Sequence, residues 1–365
     1  MTRRTILADT GTLASPAGTF RHRLNHEIRH LYPGYFALVM ATGIISNAFF
    51  FLGYLTLSGL LLAINLVAFP LLLAATVVRA LRFGDALWTD LLNPKLVFSF
   101  FTIVAAADVL GIQLLLHGQE GLATALWLLA LVAWLLLSYF SFGVLTFVNS
   151  RSGAGVVHGG WLIAIVGTQS LVLLGTQLAP RFGTISPLAF VAVHTLWGIG
   201  IAFYAIFITL FSYRLFFLRI KPSDMTPLFW VVMGAAAIST NAGSTLILSK
   251  PVMPFLVNLR PFVDGTTLIL WAWSTWWIPL LVMFDVWKYV VHRQPLAYHP
   301  MFWSMVFPLG MYAVATYRMA LAADFPPLQS VSRTMIWIAF AVWALVMLGL
   351  LASIWKSMRS PPAGA

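Results

Sequence analysis

Ten apolar segments of roughly 20 residues or more follow one another along the chain, and this feature constrains the fold most strongly. Each is long enough to cross a bilayer as a helix, which satisfies every backbone hydrogen bond internally. Charged residues make up 8% of the chain, far below the roughly 25% of an ordinary soluble domain. The sequence predicts an all-α membrane protein with spans at about 32–52, 55–80, 95–117, 121–148, 157–178, 187–217, 225–249, 262–288, 299–319 and 330–356.

Sequence outside the spans is short. Residues 1–19 are polar and lack an uninterrupted apolar core, so we expect a disordered tail and not a cleaved signal peptide. Residues 20–31 place four apolar side chains on one helical face and arginines elsewhere, which predicts an interfacial amphipathic helix on the membrane lipid. We expect a single ten-helix domain at 32–356 and a second short tail at 357–365.

Positive charge is unevenly distributed about the ten spans. Lys and Arg that flank spans are retained on the cytoplasmic side. With ten spans, most of the 21 basic residues fall on one side. They are Arg3, Arg4, Arg21, Arg23, Arg29, Arg79, Arg82, Lys95, Arg151, Arg214, Arg219, Lys221, Lys288, Arg293, Lys356 and Arg359. We therefore predict a multi-pass protein of the cytoplasmic membrane with both termini cytoplasmic, and no nucleic-acid partner, because no basic soluble domain exists to bind one.

Odd-numbered and even-numbered spans differ in side-chain size. The seventh span reads "MGAAAISTNAGST", whereas the eighth reads "LILWAWSTWWIPLLVM". Small residues let helices approach closely or leave a lumen, while bulky residues face lipid. We expect five helical hairpins around a central pore, with the odd helices inside and the even helices outside. Tight packing of the odd helices without a lumen is the alternative.

Two motifs resemble one transport family. The first span contains "LYPGYFALVMATGIISNAF" and the ninth contains "FWSMVFPLGMYAVAT". Both are similar to motifs of the tellurite-resistance/dicarboxylate transporter family, which includes slow-type anion channels, malate permeases and sulfite efflux pumps. The matching positions are Pro33, Tyr35, Phe36, Val39, Met40, Thr42, Gly43, Ile44, Trp303, Phe307 and Pro308.

This resemblance implies an arrangement and a gate. It implies five hairpins about a pseudo-five-fold axis, a homotrimer with one pore per subunit, and a phenylalanine that plugs the pore, matched here by Phe307. Pro308 removes one backbone hydrogen bond and bends the helix at a turn where an inward aromatic ring could occlude the route. Without the resemblance, Phe307 would be interpreted as a core aromatic beside a packing kink.

Polar residues on odd spans are candidates for the pore lining. Asp108 lies near the middle of the third span, where a carboxylate costs about 2.5 to 3.5 kcal/mol, so it should face water or be protonated. The alternative is a neutral acid bonded between helices. Uncharged groups can partly replace an anion's hydration shell, although helix-to-helix hydrogen bonding is an equal alternative for each. The predicted lining is Gly43, Asn47, Asp108, Thr168, Gln169 and Asn241.

Three basic residues on the other side of the membrane are candidates for an outer mouth. Lys250, Arg260 and Arg318 could concentrate anions there, although ordinary snorkelling to the headgroups explains them equally well. The sequence has no G-x-x-x-x-G-K-[ST], H-E-x-x-H or C-x-x-C motif. We therefore expect no cofactor, no metal site and no enzymatic activity.

The sequence supports two transport hypotheses. The leading one is passage of small anions, with C4-dicarboxylates such as malate favoured and tellurite, sulfite, chloride or nitrate as family alternatives, through a pore gated by Phe307. The second is proton-coupled secondary transport of a dicarboxylate or sulfite, with Asp108 as the coupling site. A channel and a carrier differ in whether a binding site alternates between the two sides.

Overall fold

The computed structural model describes residues 16–148, 154–251 and 253–359. Residues 1–15 and 360–365, most of the predicted tails, lie outside the described residues. Within them the protein is all-α, with ten helices long and apolar enough to span a membrane, as predicted. The helices are α1 (Pro16–Arg29), α2 (Ala37–Phe51), α3 (Leu55–Arg82), α4 (Gly84–Leu91), α5 (Phe101–Leu116), α6 (Glu120–Gly143), α7 (Ile163–Leu178), α8 (Ser186–Phe217), α9 (Val231–Ser249), α10 (Pro254–Asp285), α11 (Trp303–Ala322) and α12 (Pro327–Arg359).

Five structural repeats follow one another along the chain. Each begins with a 3₁₀ turn, continues into a short helix and returns in a longer one. The turns are Pro33–Phe36, Val97–Phe100, Gly159–Leu162, Pro227–Trp230 and Pro300–Phe302. The short helices α2, α5, α7, α9 and α11 hold 15 to 20 residues, and the long helices α3, α6, α8, α10 and α12 hold 24 to 33.

The short helices pack together inside, and the long helices surround them. In the most apolar window of each span, 72–94% of the residues are buried in the short-helix spans and 17–39% in the long-helix spans. Contacts run from α2 to α5, α7, α9 and α11 in turn, and α11 also packs against α2. Each inner helix also contacts the outer helix that follows it. The predicted pore on the axis of this ring goes beyond these contacts and stays a prediction.

Side-chain hydrogen bonds join each outer helix to the inner helix of the next repeat. Four of the five use a buried or half-buried tryptophan indole, whose N–H needs an acceptor away from water. The last bond, from Trp343 to Thr42, joins α12 back to α2 across 301 residues. The five donor–acceptor pairs are Asn65–Gln113 (2.8 Å), Trp134–Thr168 (2.8 Å), Trp197–Ser239 carbonyl (3.2 Å), Trp271–Thr316 (3.0 Å) and Trp343–Thr42 (2.9 Å).

The two described ends of the chain, in α1 and α12, lie near the face where the inner helices begin, and we call these ends the chain termini. The helix α1 overlaps the interfacial helix predicted at 20–31, and Arg23 of α1 donates a hydrogen bond to the Ser357 carbonyl near the end of α12. Arg79, which is 4% exposed, donates to the Arg29 carbonyl and to Asp90. The bonds from Arg23 and to the Arg29 carbonyl join α1 to the outer helices α12 and α3, and the bond to Asp90 joins α3 to α4.

Candidate functional site

One cavity is lined by all five inner helices, and we call it the axial cavity. It lies along their middle and later turns, toward the face opposite the chain termini. The volume open to the centre of a water-sized sphere is about 10 Å³. This volume is close to the smallest that can hold one water molecule. The route along the axis is therefore nearly closed. Its lining is Ile44, Asn47, Phe51, Val109, Ile112, Leu173, Gln177, Asn241, Thr245, Met311, Val314 and Arg318.

Two asparagine amides in the axial cavity lack ordinary protein partners. Asn47 is 2% exposed and its Oδ1 has no hydrogen-bond partner. Asn241 donates from Nδ2 only to the Met311 sulfur, at 3.5 Å, and a thioether is a weak acceptor. Buried amides are nearly always paired, because an unpaired one costs about 1–3 kcal/mol. These two groups are suited to a polar solute that passes between the inner helices.

Arg318 supplies positive charge to the axial cavity. Its guanidinium lies 4.5 Å from the centroid of the Phe51 ring, which stacks in turn on Tyr317. Arg318 makes no ion pair with any described carboxylate. The residues that line the cavity include no acid. A fixed cation and neutral amides without a carboxylate make this cavity electrostatically favourable for anions.

Phe307 and Pro308 lie just beyond the axial cavity. Phe307 is 2% exposed and precedes the lining residue Met311 by four residues, so both lie on one face of α11 one turn apart. Pro308 packs against α9: a Cβ added at Gly234 would come within 2.7 Å of the Pro308 Cγ. The phenylalanine is thus at the level where the cavity ends toward the chain termini.

The sequence profile of the voltage-dependent anion channel (SLAC1) family matches residues 30–351. This match extends from the first span to the last. The chain belongs to this family. The resemblance found in the first and ninth spans is thereby confirmed, and family membership indicates transport of anions across a membrane.

Proteins similar to this chain are named as transporters and membrane proteins. Two uncharacterized transporters of Methanocaldococcus jannaschii are each 24% identical to it over 331 residues, which cover 88% of this chain and 92% or 94% of theirs. An uncharacterized membrane protein of Mycobacterium tuberculosis is 41% identical over 154 residues, 41% of this chain and 78% of its own. The family description and the two archaeal names point to channels and transporters.

Asp108 lies between α5 and α7 and does not line the axial cavity. It is fully buried, and its Oδ2 is 2.7 Å from the Ser170 hydroxyl. The same hydroxyl lies 2.8 Å from the Gly167 carbonyl. The Ser170 hydroxyl donates to the Asp108 carboxyl group, and its hydrogen can be shared with the Gly167 carbonyl in a three-centre bond. This geometry fits an acid that is hydrogen-bonded between helices.

Three other predicted lining residues contact neighbouring helices. Thr168 accepts from Trp134 of α6, and Gln169 donates to the Trp197 carbonyl of α8 at 3.3 Å. A Cβ on Gly43 would overlap Val109, so Gly43 allows α2 and α5 to approach closely. None of these three residues lines the axial cavity, and their pore-lining role stays a prediction.

The predicted outer-mouth residues fall into two separate places. Arg318 lines the axial cavity, whereas Lys250 and Arg260 share a second cavity with His194 between α8, α9 and α10. We call this second space the peripheral cavity. The three basic residues therefore do not form one cluster around the axis.

Sequence reasoning missed several lining residues of the axial cavity. Phe51, Gln177, Thr245 and Met311 were not among the predicted residues. Their signal was spacing: lining residues recur three or four positions apart on each inner helix, as in Ile44, Asn47 and Phe51 of α2 or Met311, Val314 and Arg318 of α11. The spacing becomes informative once one residue on each helix is known to face the axis.

Proposed function

We propose that this protein passes small anions across the cytoplasmic membrane along the axis of the inner helices, with Phe307 as the gate. The observation that carries the proposal is the axial cavity, in which all five inner helices supply lining, Asn47 Oδ1 has no hydrogen-bond partner, Asn241 donates only to a thioether and Arg318 is the charged group. Neutral donors replace part of an anion's hydration without trapping it. Most of the remaining lining is apolar, which favours ions that lose water at low cost.

C4-dicarboxylates such as malate are the favoured substrates within this proposal. Tellurite, sulfite, chloride and nitrate are the alternatives that the family resemblance carries. A dicarboxylate suits a route in which one carboxylate meets Arg318, whose guanidinium can donate two parallel hydrogen bonds. A proteoliposome flux assay with each of the five anions ranks them directly. Faster chloride flux than malate flux would remove the preference for dicarboxylates.

The gate is tested by Phe307→Ala. Removing the ring should raise flux of the preferred anion by about tenfold, which corresponds to about 1.4 kcal/mol of barrier. Phe49→Ala is the matched control, because Phe49 is a fully buried phenylalanine of an inner helix whose ring packs edge-to-face on Trp337 and Phe340 of α12. Equal flux through Phe307→Ala and wild type would contradict the gate.

The oligomeric state and the orientation in the membrane are further parts of this proposal. The family resemblance supports a homotrimer with one route per subunit, and the distribution of basic residues supports cytoplasmic termini. Light scattering of the protein in detergent counts the copies. Labelling of a cysteine introduced near either terminus, in sealed cells, reports its side.

Proton-coupled transport through Asp108 is the second candidate function. It is favoured by the complete burial of Asp108 inside a span, where a charged carboxylate is costly and a proton can be taken up. Reversal potentials measured under an imposed pH gradient distinguish the candidates, since a channel for anions alone ignores the gradient. Asp108→Asn keeps the volume and a donor, and it should remove the pH dependence of transport; an unchanged profile would end the proton role.

A further inference from the structure

The peripheral cavity has an apolar floor inside the protein. It provides about 210 Å³ between α8, α9 and α10 on the face opposite the chain termini. Its floor consists of buried side chains, among them Leu246, Leu256 and Val263 at 1–3% exposure. None of its lining residues lines the axial cavity. This space is therefore separate from the axial cavity.

The rim of the peripheral cavity is cationic. Lys250 is exposed and follows the end of α9 with φ 47°, a left-handed conformation in which glycine is the usual residue. The Arg260 Nε lies 3.6 Å from the Asp264 carboxylate, and both side chains are about half exposed. Such an exposed pair is weak, so the guanidinium keeps most of its N–H donors for a ligand.

His194 adds a third polar group at the rim. Its Nδ1 lies 2.7 Å from the Phe190 carbonyl. A carbonyl oxygen only accepts, so Nδ1 carries the hydrogen of the neutral ring and Nε2 is left for another partner. Two cations and an imidazole thus surround the entrance to an apolar space.

We propose that the peripheral cavity binds an anionic phospholipid of the leaflet opposite the chain termini. Its phosphate would lie between Lys250 and Arg260, and the glycerol and first acyl carbons would cover the apolar floor. On its exposed side the cavity is lined by Val257 of α10, an apolar residue that is 51% exposed and that lipid could cover. A soluble anion would gain nothing from the floor, whereas an amphiphile matches both parts. This inference is independent of the proposed transport function.

Binding is measured on the purified full-length protein in a neutral detergent, by titrating phosphatidylglycerol and following the melting temperature. Phosphatidylcholine supplies the same chains without net charge, and inorganic phosphate supplies the charge without chains. We expect the melting temperature to rise with phosphatidylglycerol alone. An equal rise with phosphatidylcholine would overturn the role of the cations, and an equal rise with inorganic phosphate would overturn the lipid.

Variants assign the binding to this cavity. A basic residue near a membrane surface contributes about 1 kcal/mol toward an anionic lipid, so Lys250→Gly and Arg260→Gln should each weaken binding about fivefold. Glycine accepts the left-handed backbone at position 250, so Lys250→Gly should melt no lower than wild type without lipid. Arg333→Gln, an exposed arginine of α12 on the same face, is the control and should bind like wild type. Unchanged affinity in both cavity variants would overturn the proposal.

Discussion

The spans that contain α9 and α10 have the same mean hydropathy in their most apolar windows, yet 94% of the first window is buried and only 28% of the second. Hydrophobicity therefore did not decide which helix lies inside, because lipid tails are as apolar as a protein core. Side-chain size decided which helix lies inside. A Cβ on Gly243 of α9 would overlap Thr267 of α10, whereas a Cβ on Gly265 of α10 would meet nothing within 4 Å.

The difference extends to the polar groups at the ends of the two kinds of span. The turn that begins the third inner span is held by a partly buried side chain: His158 Nε2 donates to the Lys95 carbonyl at 2.7 Å, and its Nδ1 accepts from the Gly160 N–H at 3.0 Å. The outer helix α10 is followed by exposed His292. Disturbing an inner group should therefore cost more than disturbing its outer counterpart.

Acidification gives the largest expected effect. Burial, and then the nearby charges of Arg214 and Lys95, lower the pKa of His158 from 6.5 to about 4. Between pH 6.5 and pH 4 the unfolded chain binds a proton there that the folded protein excludes, so stability falls as the pH falls, by about 3 kcal/mol at pH 4. Melting temperatures at pH 7, 5.5 and 4.5 should decrease in wild type. In His158→Gln the melting temperature should fall less than in wild type, and in His292→Gln it should fall as much as in wild type. Identical profiles in all three proteins would refute the assignment of this effect to His158.

Adding one methyl group should have opposite effects on stability at an inner glycine and at an outer glycine. In Gly234→Ala the new Cβ would meet the rigid Pro308 ring at 2.7 Å, and overpacking of this kind costs about 1–3 kcal/mol. Gly198→Ala on outer helix α8 meets nothing within 4 Å and should stabilise its helix by up to about 1 kcal/mol. Unfolding in detergent measures both. If Gly234→Ala melted like Gly198→Ala, the close packing of α9 on α11 would be in doubt.

Removing the charge of an inner arginine should change anion flux more than removing that of an outer arginine. Arg318→Gln removes the cation of the axial cavity and should lower anion flux about tenfold, equivalent to about 1.4 kcal/mol. Arg333→Gln removes a cation exposed on α12 and should leave flux unchanged, because that side chain lies outside the axial cavity. The assay uses proteoliposomes with matched protein content. Comparable flux in the two variants would exclude Arg318 as an anion-attracting group.

Tryptophan replacement gives the smallest expected effect. Trp343→Phe removes the indole N–H that bonds to Thr42 and joins the last repeat to the first. Hydrogen bonds between membrane helices average about 0.6 kcal/mol, so a small loss of stability is expected. Trp355→Phe, at a 54% exposed position on the same outer helix, should cost less. Equal losses would indicate that the closing bond adds nothing beyond the aromatic packing.

The helices and their division into inner and outer sets could be predicted from the sequence. The long apolar segments fixed ten spans, and "MGAAAISTNAGST" beside "LILWAWSTWWIPLLVM" indicated which of two neighbours packs closely. The orientation of single side chains could not be predicted. Thr168 and Gln169 are polar and on an inner helix, yet they bond to outer helices, while Asn47 and Asn241 line the axial cavity.

The sequence by itself determined the class of the protein and its ten spans, because apolar length and small-residue content act locally along each helix. The family resemblance came from the motifs of the first and ninth spans. Only the tertiary structure decided which residues meet on the axis. Each residue turns a helix by about 100°, so the facing side of a helix is set by its contacts with neighbours and not by its own composition. That is why Arg318 lies in the axial cavity while Lys250 and Arg260 lie together outside it.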